Sequence, residues 1–279
     1  IVLSAVQFAK DNQVDVVIGF GGGSSMDVAK LIAILANPKQ SQSIQEIYGV
    51  NNVKGPRLPL ILIPTTAGTG SEVTPISIVT TGETTKTGIV SPILYADVAI
   101  LDATFTSGLP AHITAATGID AMVHAIEAYT SKIKKNFYAD MLAKQALKLL
   151  NKNLKLVLAD GTNLAARQNM LVGSMLAGQA FANAPVGAVH ALAYPLGGHF
   201  HLSHGHTNAL VLLEVLKFNA PDAKALYAEL MQWLDPYSKG STEGLCDLFI
   251  DHMQRHLDHS GLTLKLRDLN VHEQQLDRL

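Results

Sequence analysis

The sequence predicts an α/β fold in which an N-terminal parallel-sheet domain, suited to binding a dinucleotide, precedes an all-helical C-terminal domain. Three observations lead to this prediction. Short β-branched runs alternate with helical segments at the start of the chain. A glycine-rich turn follows the first of these runs, and from Ile113 onward the apolar residues recur with a helical period of about 3.6. We expect the two domains at residues 1–108 and 109–279.

The composition favours a large core and argues against two classes of partner. Hydrophobic residues make up 48% of the chain and charged residues 16%, while the formal net charge is −2. That balance gives no electrostatic reason to expect a nucleic acid or a membrane surface as partner. No apolar run reaches the roughly 18 residues of a membrane span, and no signal peptide is recognisable. Cys246 is the single cysteine, which fits a reducing compartment, and we expect a cytoplasmic location.

Strands and helices alternate in the first domain. Continuous apolar strands separated by helices are typical of a parallel sheet that is covered on both faces. The strands end in loops rich in glycine or in hydroxyl groups. Strands are predicted over residues 15–20, 58–64 and 96–102, a hairpin turning at Gly82 over 75–91, and helices over 1–14 and 24–36.

The second domain is predicted to be helical throughout. Its apolar residues recur every three to four positions in each segment, and no further strand pattern follows. The helices are predicted over residues 114–131, 137–158, 163–183, 186–196, 208–218, 221–235 and 241–258.

Two loops of small residues follow neighbouring predicted strands. The first, GFGGGSSMDVAK at 19–30, joins a strand to a helix, and its glycines let a phosphate approach the backbone and the helix N-terminus. Taken alone, a tight strand-to-helix turn explains this loop equally well. The second loop, PTTAGTGSE at 64–72, changes that balance. Ligands of open α/β sheets bind outside the carboxyl ends of the strands, so two such loops favour a phosphate-binding site.

Four polar side chains stand on apolar backgrounds in the second domain. Asp120 and His124 lie four apart in GIDAMVHAIEAY, which places them on one helix face. A buried, hydrogen-bonded pair would explain these two alone. His190 and His204 also lie in apolar surroundings, within GAVHALAYPLGGHFHLSHGHTNAL. Imidazoles with a carboxylate are a common donor set for divalent transition metals, and a shared ion would compensate all four burials at once.

Four motifs together resemble the iron-containing (group III) alcohol dehydrogenase family. They are GGGSSMDVAK, PTTAGTGSEVT, GIDAMVHAIEAY and HALAYPLGGHFHLSHG, and they occur in unbroken order up to about residue 215. The resemblance implies a dehydroquinate synthase-like architecture and a homodimer. It implies hydride transfer between a small-molecule substrate, an alcohol or an aldehyde or ketone, and NAD or NADP. It also implies Fe(2+), with Zn(2+) as the other option, bound by Asp120, His124, His190 and His204.

The same resemblance implies which residues contact the cofactor. The pyrophosphate loop of the family matches Gly21, Gly22, Gly23 and Ser24, with Asp27 in the helix that follows, and the second nucleotide loop matches Thr65, Thr66, Thr69 and Thr74, with Lys86 near the cofactor.

The chain departs from the family pattern at three places. We expect the first strands of the nucleotide domain to lie upstream of Ile1, and residues 236–279 match the family poorly. Many members carry a second histidine four residues after the third ligand, where this chain has Tyr194. Its phenol is a candidate proton relay, and a packed helix aromatic explains it equally well.

Two alternatives to the dehydrogenase remain open at this point. One is a cyclase that resembles dehydroquinate synthase, although no cluster of basic residues for a substrate phosphate lies near the predicted ligands. The other is a truncated chain that binds metal without being an active enzyme.

Overall fold

The computed structural model describes residues 1–82 and 86–278 and confirms the predicted fold class. An α/β region comes first, and long helices make up the rest of the chain. The elements of the first region are α1 (Val2–Asp11), β1 (Val17–Gly21), α2 (Gly23–Leu35), β2 (Gly49–Val50), β3 (Leu60–Pro64), β4 (Ile76–Thr80), β5 (Lys86–Val90) and β6 (Val98–Ala99). The helices that follow are α3 (Ala111–Thr130), α4 (Phe137–Ala159), α5 (Leu164–Asn183), α6 (Ala188–Phe200), α7 (His204–Leu234) and α8 (Thr242–His259).

The parallel sheet has the order β1-β3-β6. Strands β1 and β3 pair in register from Val17 opposite Leu60 to Gly21 opposite Pro64. Both strands therefore end at the same sheet edge, and the two glycine- and hydroxyl-rich loops leave that edge side by side. The backbone N–H of Thr65 donates to the carbonyl of Gly21 over 2.9 Å and ties the loops together.

The expectation of a single parallel sheet was incomplete. A second sheet, β2-β5-β4, contains the predicted hairpin as the antiparallel pair β4–β5. Its other strand, β2, spans two residues and is too short to produce a sequence pattern. The turn predicted at Gly82 runs into residues 83–85, which lie outside the described residues. The strand predicted over 96–102 shrinks to Val98–Ala99, because only these two residues pair with β3.

The predicted break between two helices at Pro221 was wrong. The predicted helices 208–218 and 221–235 form the single helix α7, which contains Pro221, and the helix predicted over 186–196 includes Pro195 as expected but continues to Phe200. Proline removes one helical N–H and so leaves the carbonyl four residues earlier without a partner. Those carbonyls belong to Lys217 and Ala191, both on exposed positions where water can replace the missing donor. The helices therefore continue. Helix α7 also begins earlier than the predicted residue 208, so that His204 is its first residue.

The helical region is built around α3, which is buried along almost its entire length. It packs against α4, α5 and α7, which together enclose the largest apolar core. Among the described residues no strand follows Ala99, as the sequence predicted for residues 114–235. The domain boundary at residue 108 stays a prediction. None of the helices in the described chain is long and apolar enough to span a bilayer.

Candidate metal centre and nucleotide cleft

The four side chains that the sequence singled out converge on one point. Their candidate ligand atoms all lie within 4.8 Å of one another. Asp120 Oδ1 is 4.0 Å from Nε2 of His124 and 3.7 Å from Nε2 of both His190 and His204. One carboxylate oxygen and three imidazole nitrogens form a donor set that suits a divalent transition metal. The structure brings together the residues that the prediction requires, and their role as ligands stays a prediction.

Three of these side chains are deeply buried and the fourth borders a cleft. Asp120 and His190 have side chains 2% exposed and His124 has one 5% exposed, whereas that of His204 is 30% exposed. Each buried group lies on a helix of the core, where an uncompensated charge or an unpaired imidazole would be costly. The cluster is therefore most accessible from the cleft beside His204.

The electrostatics of the cluster favour a bound cation. Burial opposes ionisation of Asp120, but the neighbouring imidazoles outweigh it and hold the carboxyl pKa below its usual range. Burial lowers the pKa of His124 to about 4. His190 is also buried, yet its contacts with Asp120 and Glu127 outweigh that penalty and raise its pKa to about 9. The buried Asp120 carboxylate thus stays ionised among three imidazoles, and a divalent ion bound by these four groups would balance its charge.

Contacts outside the ligand set hold three of the four side chains in place. Nδ2 of Asn208 donates to Asp120 Oδ1 over 2.5 Å, and Nδ1 of His190 lies 2.7 Å from Glu127 Oε2. Nδ1 of His124 lies 3.3 Å from the carbonyl oxygen of Gly68 in the second loop. The sequence analysis missed Asn208 and Glu127. Both follow a ligand at helical spacing, four residues after His204 and three after His124, and that spacing was the signal available.

The first nucleotide loop leads directly into α2. Gly21 has a φ of +146°, a conformation that favours glycine, and Gly22 is the N-cap of the helix without a side-chain cap. A Cβ on Gly23 would come within 2.8 Å of Thr69 in the second loop. At Gly23 the two loops are therefore too close together to leave room for a side chain. The N-terminus of α2 faces outward beside the exposed Ser24.

A buried lysine that the sequence analysis missed fixes the second loop to α2. Lys30 is fully buried, and its ammonium group donates to Ser71 Oγ over 2.8 Å and to the carbonyl of Ile76 over 2.6 Å. Thr74 Oγ1 is 3.4 Å away from the same nitrogen. Burial lowers the pKa of Lys30 to about 8. Asp27, predicted to contact the cofactor, uses both carboxylate oxygens within this network, accepting from Ser71 Oγ and from the N–H of Ile78.

One cleft of about 290 Å³ joins the cluster to the two loops. Three of the candidate ligands, His124, His190 and His204, form one end of it. Its other walls combine polar or small residues, most of them predicted nucleotide contacts, with apolar side chains from β4, from the end of α5 and from the segment after it. These are Gly23, Ser24, Asp27, Thr69, Ser71, Thr74 and Lys86 among the polar or small residues, and Ile76, Ile78, Phe181, Pro185 and Val186 among the apolar ones. Four of the predicted cofactor contacts do not line the cleft. They lie in the loops behind its wall and are Gly21, Gly22, Thr65 and Thr66.

Comparison with known proteins decides the family. Residues 1–103 match the family model described as iron-containing alcohol dehydrogenase. Residues 114–279 match that of the C-terminal part of the Fe-containing alcohol dehydrogenase family. The chain belongs to the iron-containing alcohol dehydrogenase family. The prediction that residues 236–279 match the family poorly was wrong, because they fall within the second match.

Individual relatives in this family agree with that assignment. Long-chain-alcohol dehydrogenase 1 of Geobacillus thermodenitrificans is 42% identical over 99% of this chain and 70% of its own length. A crystal structure of 1,3-propanediol oxidoreductase superposes with a TM-score of 0.94 at 36% identity, over 98% of this chain and 72% of that one. Sulfoacetaldehyde reductase from Bifidobacterium kashiwanohense, solved with NAD+, gives 0.85 at 31% identity, over 99% and 71%.

These alcohol dehydrogenases and reductases favour the oxidoreductase over the cyclase that was the main alternative. The chain spans 58% to 72% of the length of the relatives that it matches.

Tyr194, the candidate proton relay, lines the cleft beside His204. Its ring stacks on that of His204, with centroids 5.5 Å apart and planes 20° from parallel. Burial and the Asp120 carboxylate raise the pKa of its hydroxyl to about 12. A phenol with so high a pKa releases its proton reluctantly at neutral pH, so the geometry favours packing against a ligand over proton relay.

Proposed function

We propose that this chain catalyses reversible hydride transfer between an alcohol, or the corresponding aldehyde or ketone, and a nicotinamide cofactor at a divalent metal ion. One observation carries the proposal. The histidines of a four-residue donor set and the loops predicted to hold a dinucleotide line the same cleft. A metal site without a catalytic role would not need to lie in the same cleft as a nucleotide-binding loop.

The metal is proposed to be Fe(2+), held by Asp120, His124, His190 and His204. The family match supports iron, and the donor set would also accept Zn(2+). When bound, such an ion acts as a Lewis acid that polarises the substrate oxygen and eases loss of the hydroxyl proton. His204, the most exposed of the four side chains, marks the side from which substrate oxygen would reach it.

The cofactor is proposed to be NAD or NADP, which accepts the hydride from the carbinol carbon. The relative solved with NAD+ supports this class of cofactor. The backbone N–H groups at the start of α2, from Gly23 and Ser24, would bind the pyrophosphate, aided by the positive end of the helix dipole. Thr69 faces the cleft from the second loop, and Lys86 offers a cation at its rim.

The substrate class follows from the cleft walls. Phe181 stacks on His124, with ring centroids 4.4 Å apart, and continues into the apolar wall of Pro185 and Val186. An alcohol or aldehyde would place its oxygen among the histidines and its carbon chain along these side chains. Assembly as a homodimer and a cytoplasmic location stay predictions.

The experiment that tests the proposal removes one donor. His204→Ala should lower metal affinity sharply and abolish turnover, while binding of NAD(H) should largely persist because it uses the other end of the cleft. His206→Ala is the matched control, since Nε2 of His206 lies 2.6 Å from the Thr263 carbonyl oxygen, away from the cleft. Metal content is measured by mass spectrometry after reconstitution with Fe(II) and, separately, with Zn(II). A full equivalent of metal in His204→Ala, or its loss in His206→Ala, would show that the ligand assignment is wrong.

A further inference from the structure

The side chain of Glu127 reaches from the end of α3 to the start of α6, where each of its two carboxylate oxygens binds a different group. Its side chain is 8% exposed. Oε1 accepts the backbone N–H of Val189 over 2.7 Å, and Oε2 lies 2.7 Å from Nδ1 of His190. Both oxygens of one buried carboxylate thus bind consecutive residues of the same helix turn.

The first contact replaces a missing helix cap. The N-cap of α6 is Gly187, which has no side chain to bind the free N–H groups of the first turn. Glu127 supplies that acceptor from a neighbouring helix and places a negative charge at the positive end of α6. A Cβ at Gly187 would come within 3.3 Å of Glu127 Oε1, so the glycine leaves room for the carboxylate.

The second contact determines which nitrogen of His190 is available. In the neutral ring that a metal ligand must be, Nδ1–H donates to the carboxylate and the lone pair lies on Nε2, which faces Asp120 Oδ1 at 3.7 Å. The amide of Asn208 agrees with this assignment, because its Nδ2, already a donor to Asp120, lies 3.3 Å from His190 Nε2. A second donor beside Nε2 is favourable only if that nitrogen carries no proton.

We propose that Glu127 is a positioning residue of the metal centre, which fixes the tautomer of His190 and the start of the helix that carries it. This role rests on the proposed metal site. The two contacts are coupled, because the same carboxylate serves both. Carboxylates that bind the outer nitrogen of a metal-bound histidine typically change metal affinity about 10- to 100-fold when removed.

Glu127→Gln is the most specific test, because it keeps the shape of the side chain but leaves one acceptor oxygen instead of two. The amide has one oxygen, whereas Val189 N–H and His190 Nδ1–H both require one. If the oxygen binds Val189, the NH₂ group faces Nδ1 and drives the proton onto Nε2, where it competes with the metal. If the amide oxygen instead binds His190, the amide NH₂ group faces the N–H of Val189, and two donors oppose each other at the start of α6.

The zinc dissociation constant measures the effect, by competition with a chromophoric chelator. We expect Glu127→Gln to weaken zinc binding about 10- to 100-fold. Glu229→Gln is the control, because Glu229 accepts a hydrogen bond from Tyr129 and lies outside the cluster, so its zinc affinity should equal that of the wild type. Equal affinity in Glu127→Gln and the wild type would overturn the proposal, as would an equal loss in Glu229→Gln.

A spectroscopic measurement on zinc-loaded wild type keeps the inference testable even if Glu127→Gln fails to fold. Histidine ¹⁵N–¹H correlation spectra should show a protected proton on Nδ1 of His190 and none on Nε2. A zinc ion bound through Nδ1, or an Nδ1 proton in fast exchange, would overturn the role of Glu127 while leaving the metal site intact. Zinc affinity that is unchanged in His190→Ala would instead refute the metal site itself, and the role of Glu127 with it.

Discussion

Gly205, the second residue of α7, makes a close approach to α3 that can be tested by adding one methyl group. A Cβ built on Gly205 would lie 2.3 Å from the carbonyl oxygen of Ala116 and 2.6 Å from its carbonyl carbon. Both atoms belong to the backbone of α3 and cannot rotate away. Gly205→Ala must therefore separate the two helices until the contact reaches about 3.4 Å, a displacement of about 1 Å.

That displacement acts directly on the metal centre, because His204 precedes Gly205 while Asp120 and His124 lie on α3. Metal–ligand distances tolerate only about 0.2 Å of deviation. Gly205→Ala should thus lower metal affinity at least about tenfold and destabilise the fold by about 1–3 kcal/mol through overpacking. For a chain of this size each kcal/mol lowers Tm by roughly 2–4 °C.

The assay combines zinc titration with thermal unfolding of the metal-free protein. Gly197→Ala is the matched control, because a Cβ there meets only the Leu202 carbonyl oxygen, at 3.4 Å. It should leave both quantities near the wild-type values. If Gly205→Ala binds zinc as tightly as the wild type and unfolds at the same temperature, the close approach of α7 to α3 does not set the ligand geometry.

Two further predictions concern the first region of the chain. Gly22→Val should weaken NADH binding, measured by fluorescence titration, because a branched side chain at the N-cap of α2 would crowd a phosphate bound at the N–H groups of Gly23 and Ser24. A Cβ at Gly22 meets only Thr66, at 3.6 Å, so metal content should stay at the wild-type level. Unchanged NADH affinity would remove this loop from the site. Hydrogen bonds from Arg57 and from the N–H of Leu60 lower the pKa of Asp97 to about 2, against about 3.9 for an unperturbed aspartate. The stability that Asp97 contributes is therefore complete above about pH 5 and lost as pH falls through about 2. Asp97→Asn should unfold more readily than the wild type in urea at pH 7, and this difference should become much smaller at pH 2. An equal difference at both pH values would contradict this.

The candidate ligands could be predicted from sequence because each contrasts with its neighbours. Asp120, His124 and His190 are polar groups on helices that are otherwise apolar, and such a contrast needs no knowledge of the fold. Glu127 offers the same contrast, but its function depends on α6, which the sequence does not place next to α3. The role of a supporting residue becomes visible only when its partner has been located in space.

Local rules also explain the errors in the fold. Proline normally ends a helix, and this led to a break at Pro221 that the structure does not have. Whether the freed carbonyl meets water depends on which side of α7 faces the core, and that is a property of the tertiary structure. The hairpin was predicted because its strands are five residues each, whereas β2 has two residues and gains its extended conformation only by pairing with β5.

The second loop contributes to both halves of the cleft. The carbonyl of Gly68 lies 3.3 Å from Nδ1 of His124, and two residues later the backbone of Gly70 touches that of Gly178 on α5, where a Cβ would come within 2.6 Å. Grafting a different loop here to change the proposed cofactor preference would therefore also change the orientation of a candidate metal ligand, His124. Variants of residues 65–74 should be screened for both traits together, because no substitution that moves this backbone can be confined to one of them.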